Sequence, residues 1–128
     1  MGRAMKEQGW SAIIEEAIGF SKANPEKAGE LYKLAYEKVE NWEQLSLVAD
    51  GVANRLNNKK WGRVLFEEVV ERAETASEYC IVAELISHPD GLADKAWAKE
   101  LFETAFEKAG SDEMKADIKD SMEECVDG

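Results

Sequence analysis

KAGELYKLAYEKV, residues 27–39, sets a pattern that occurs three times in this chain. Moved forward by 34 residues it falls on Trp61–Ala73, and by a further 36 it falls on Trp97–Ala109. Ala28, Gly62 and Ala98 form a column of small residues, and Leu31, Leu65 and Leu101 are identical. Tyr32, Phe66 and Phe102 are aromatic, while Ala35, Val69 and Ala105 are small and apolar. Glu37, Glu71 and Glu107 are each followed by a base, which reads as surface ion pairing of little individual weight. A period of about 34 residues marks a stacked array of helical repeats, because a lone helix pair cannot bury its apolar face without a neighbour.

Capping residues extend the repeat beyond that segment. Asn24, Asn58 and Asp94 share a column just ahead of the repeated helix, and each can accept a bond from an unpaired first-turn N–H. Pro25 then stands where its missing donor costs nothing. A second capping column is Asn41, Thr75 and Ser111, with Gln44 and Glu78 placed three residues on for a capping box. These boundaries predict helices over roughly 10–22, 25–39, 42–56, 59–73, 76–87, 95–109 and 112–126. Only His88-Pro89-Asp90-Gly91 makes a longer turn, which accounts for the longer second period. Short connections force antiparallel neighbours, so the helices pair as hairpins.

The first helix of each hairpin carries its own columns. Ile14, Val48, Val82 and Ile118 align, as do Ile18, Val52, Ile86 and Met122, one turn further on. They predict a buried stripe. Beside it Ile13, Leu47 and Ile81 are apolar, but the last member is Asp117, and Lys115 and Lys119 replace other apolar positions. The final helix therefore reads as a cap that closes the array with a solvated face.

Two of these patterns resemble a known family. Ala28-x-x-x-Tyr32-x-x-Ala35-Tyr36 and Ala98-x-x-x-Phe102-x-x-Ala105-Phe106 are similar to the second helix of a tetratricopeptide repeat, and Gly62-x-x-x-Phe66-x-x-Val69-Val70 is a looser copy. Leu45-x-x-Val48-Ala49-x-x-Val52 and Tyr79-x-x-Val82-Ala83-x-x-Ile86 resemble the family's first helix. Glu15 at the small position of the first unit, and Glu40, Glu74 and Gly110 where the family closes a repeat with proline, depart from the pattern. Sel1-like repeats, related in geometry, are the near alternative. The resemblance implies an all-α, right-handed αα-solenoid: one domain of three helix hairpins, 10–39, 42–73 and 76–109, plus a capping helix 112–126.

Composition limits the function. Sixteen Lys and Arg face 27 Asp and Glu, a formal charge of −11, which repels nucleic-acid phosphates and anionic lipid headgroups and favours a basic partner. No apolar run is long enough to span a bilayer, and Met1–Trp10 lacks the apolar centre of a signal peptide, so a cytoplasmic location is expected. The repeat sets Cys80 opposite Ala116, leaving Cys125 nine residues beyond, roughly 13 Å of helical rise, too far for a disulfide. One histidine, no Cys-x-x-Cys and no glycine-rich phosphate loop leave no motif for an enzyme, a metal or another cofactor.

One column suggests a binding surface. Glu16, Asp50, Glu84 and Asp120 recur two residues past the buried stripe of successive first helices. Phe20, Asn54, His88 and Glu124 follow one turn on, and the small residues Ala12, Ser46, Cys80 and Ala116 precede one turn back. In tetratricopeptide arrays the first helices line a concave groove, and the resemblance places this acidic column there. The expectation is a non-enzymatic interaction module that takes a basic or amphipathic protein segment, extended or helical. A plain solvated acidic face, and a self-associating structural protein built on Trp10, Phe20 and Trp42, stand as alternatives. The chain would be a monomer or a weak homo-oligomer.

Overall fold

A computed structural model describes residues 9–127, and among the described residues the chain is all-helical without a strand. The reading of the N-terminus as lacking a signal peptide bears on Met1–Trp10, of which residues 1–8 lie outside these. In chain order the helices are α1 (Trp10–Phe20), α2 (Pro25–Glu37), α3 (Trp42–Asp50), α4 (Lys59–Arg72), α5 (Ala76–Ser87), α6 (Lys95–Lys108) and α7 (Asp112–Met122). Two π-helical turns extend them, Gly51–Arg55 after α3 and Glu123–Asp127 after α7.

Each predicted cap closes its helix. Side chains of Asn24, Asn41, Asn58, Thr75, Asp94 and Ser111 accept from the backbone N–H of Lys27, Gln44, Trp61, Glu78, Trp97 and Met114. Thr75 and Glu78 complete a capping box, since Glu78 also accepts from the Thr75 N–H. Gln44 reaches one residue further than expected and accepts from the Glu40 N–H at 2.8 Å. Each such cap contributes about 1 kcal/mol by satisfying a donor the helix cannot.

The packing is dominated by three hairpins, α1 with α2, α3 with α4, and α5 with α6, while α7 rests on α6 and α5. The aromatic column Tyr32, Phe66 and Phe102 is wholly buried, and the leucine column beside it is nearly so. Ala28, Gly62 and Ala98 are buried where second helices approach their partners. At Gly62 the approach is tightest: a Cβ there would lie 2.7 Å from Cβ of Ala53. Further bonds tie the hairpins together. Trp42 Nε1 donates to the Val69 carbonyl at 3.0 Å, which fixes this half-buried indole on α4. Lys59 Nζ donates to the carbonyls of Ala53 and Asp90, and Arg63 pairs with Asp94 at 2.8 Å while lying over the Trp97 ring.

Three local registers differ from the sequence expectation. In α1 the fully buried pair is Ile13 and Ala17, whereas Ile18 is 39% exposed. The buried positions of α1 are thus shifted by one residue from the Ile14–Ile18 stripe. In α3 the α-helix stops at Asp50 and continues as a π-turn, with the Leu56 N–H bonded to the Gly51 carbonyl at 3.0 Å. Gly51 makes room for Tyr32 there, because a Cβ would come within 2.8 Å of the ring and hydroxyl. In α7 it is Asp117 and Ser121, not Ala116, that stand with Cys80, and Cys125 is one turn beyond Ser121. Both thiols are free and half-buried.

Candidate functional site

The first helices of the hairpins leave clefts between them that share residues. Between α1 and α3 lies a cleft of about 400 Å³, walled by Ile14, Glu15 and Ile18 on one side and Leu47, Asp50 and Arg55 on the other, with Tyr32 of α2 reaching in from below. Leu47 also borders a second cleft, where the starts of α1 and α3 meet Glu78 and Ile81 of α5. Ile81 in turn borders a third, of about 450 Å³, against Met114, Asp117 and Ile118 of α7. The three clefts therefore join through Leu47 and Ile81. These two side chains are 46% and 44% exposed, and with Ile18 they make an apolar row across three hairpins.

Charge on the walls is one-sided. Glu15, Glu43, Asp50, Glu78, Glu113 and Asp117 line the three clefts, against the single base Arg55. Burial pushes the Asp50 carboxyl up from its ordinary value, opposed by the nearby His88 and Arg55. Burial likewise pushes the Cys80 thiol up to about 11, with Glu84 adding to it, so Cys80 is a poor nucleophile at neutral pH. Among the described residues no three His, Cys, Asp or Glu side chains converge as a metal site. None of the described helices is long and apolar enough to cross a membrane.

Of the residues the sequence singled out, Asp50 and Cys80 line these clefts. Glu16, Phe20, Ser46, Asn54, Glu84, His88, Asp120 and Glu124 line none of the three. Ser46 is buried and donates to the Glu43 carbonyl, and Phe20 is half-buried beneath the Lys27 ammonium. His88 is exposed, and its Nδ1 accepts from the Asp90 N–H. Glu16 and Asn54 are half-buried, whereas Glu84, Asp120 and Glu124 are exposed. Two register changes account for part of the pattern. The one-residue shift in α1 brings Glu15 rather than Glu16 to the cleft, and the wide π-turn brings Arg55 rather than Asn54.

Leu47 and Ile81 were visible in the sequence as an apolar column beside the stripe. Trp10, Tyr32 and Arg55 were not marked by any periodicity as cleft residues. Comparison with protein-family models, with curated proteins and with solved structures gave no match.

Proposed function

We propose that the chain is a non-enzymatic protein-interaction module, a tetratricopeptide-like array that docks a basic, partly apolar segment of another protein across its first helices. The observation that carries this reading is the row Ile18–Leu47–Ile81, bordered by six carboxylates and one base. Apolar side chains left exposed in a line mark a surface that gains from being covered. The acidic walls select against acidic partners and speed the encounter with basic ones. Self-association through the same face would set these carboxylates against their own copies, which disfavours that alternative.

The test is titration with a short peptide alternating lysine and leucine, against its counterpart alternating glutamate and leucine. The protein should bind the first and reject the second. Leu47→Ser combined with Ile81→Ser, both on exposed positions, should weaken binding at least tenfold while leaving the melting curve nearly unchanged. Equal affinity for both peptides, or indifference to the double substitution, would overturn the assignment.

A further inference from the structure

Among the described residues two buried polar atoms have no hydrogen-bond partner, Tyr32 Oη and Trp10 Nε1. Both residues line the same cleft, the one between α1 and α3. Tyr32 is wholly buried, and the hydroxyl end of its ring is the part that lies on Gly51, another cleft residue. The neighbouring Ser21 hydroxyl donates to the Ala17 carbonyl at 2.8 Å, and although it lies close enough to act on the phenol, it makes no hydrogen bond of good geometry with Tyr32 Oη. Asp50 is half-buried on the opposite wall, with His88 and Arg55 near enough to act on its charge.

The cleft thus holds a donor without an acceptor (the indole N–H), a hydroxyl that can give or take, and a carboxylate that can only accept. An ammonium or guanidinium would serve the acceptors and leave the indole stranded. A carboxylate would serve the donors and meet Arg55, but would confront both Asp50 and Glu15. An amide carries one N–H and one C=O and suits all three. Amides within a helix are already bonded to one another, whereas those of an extended chain are open.

We infer that the α1–α3 cleft grips an extended segment of the partner by a main-chain peptide unit, N–H toward Asp50 and C=O toward Tyr32 and Trp10. An adjacent apolar side chain then lies on Ile18 and Leu47. The inference rests on the docking face proposed above and narrows it: this face takes extended chain, not helix. Tyr32 Oη and Trp10 Nε1 are closed to solvent with the helices as they stand, so α1 eases away from α3 as the segment enters. The α1 backbone packs chiefly on α2 and makes few close approaches to α3.

The alternating lysine–leucine peptide, the same peptide with N-methylated backbone amides, and a hydrocarbon-stapled helix of the same residues supply the test. Each is titrated into the wild-type protein and into Tyr32→Phe, which keeps the ring. The unmodified peptide should lose roughly fivefold in affinity on Tyr32→Phe, the worth of one hydrogen bond. The N-methylated peptide lacks the N–H offered to Asp50 and should bind more weakly from the start, while keeping the fivefold loss on Tyr32→Phe because its carbonyl is intact. Amide exchange in α1 should change when the unmodified peptide binds. A stapled helix that binds as tightly as the free peptide, or a Tyr32→Phe protein with undiminished affinity, overturns the inference. If Leu47→Ser with Ile81→Ser still weakens binding in that case, the docking face survives without it. If that double variant is also without effect, the docking face falls too.

Discussion

Tyr32 and Asp50 both carry costs that the fold alone does not recover. A buried hydroxyl without a partner destabilises by about 1 kcal/mol or more. Tyr32→Phe removes that penalty and keeps the aromatic packing, so the variant should melt higher than wild type although it binds less well. Asp50 has the same character. Its folded pKa is raised by burial above the unfolded value, so the folded state holds the proton more tightly. Its contribution to stability therefore falls as pH rises from the unfolded pKa through the folded one, and above both the ionised carboxylate works against folding. Asp50→Asn should raise the melting temperature at pH 7, and the gain should shrink as the pH drops below the usual carboxylate range. A gain that stays constant with pH would show that the charge is not its source.

At the scale of elements, the close contact of α4 with the end of α3 sets how hairpins can stack. A Cβ at Gly62 would stand 2.7 Å from Cβ of Ala53 and 2.9 Å from its Cα, and neither of those atoms can swing aside. Gly62→Ala should therefore cost about 1–3 kcal/mol through overpacking, read as a lower denaturation midpoint. Ala28 and Ala98 hold the same column with a methyl group already present, so Ala98→Gly should show no matching gain. Helix identity and boundaries were legible in the sequence because caps are local: one side chain accepts from an N–H three residues ahead. The candidate clefts were legible only in part, because a column assumes that every helix keeps one rotation and one pitch. The buried pair of α1 is shifted by a residue to Ile13 and Ala17, and the π-turn at Gly51–Arg55 widened the step behind Asp50. The second lies where Gly51 meets Tyr32 of α2, a contact between helices that a repeat alignment does not contain.

For the whole molecule, the formal charge of −11 is too diffuse to define a surface, but its distribution can be tested. Glu15, Glu43, Glu78 and Asp117 line the joined clefts, whereas Glu16, Glu84 and Asp120 lie outside them. Two variants can therefore be matched for net charge: Glu15→Gln with Glu43→Gln and Glu78→Gln, and Glu16→Gln with Glu84→Gln and Asp120→Asn. Long-range attraction depends on total charge and is screened equally in both, over a Debye length of about 8 Å at physiological salt. Only close contacts at the walls distinguish them. Titrated with the lysine–leucine peptide across a salt series, the cleft variant should bind more weakly and show a flatter salt dependence. The second variant should fall between it and wild type. Identical curves for the two would mean that the acidity acts as a uniform field, and that the joined clefts do not choose the partner.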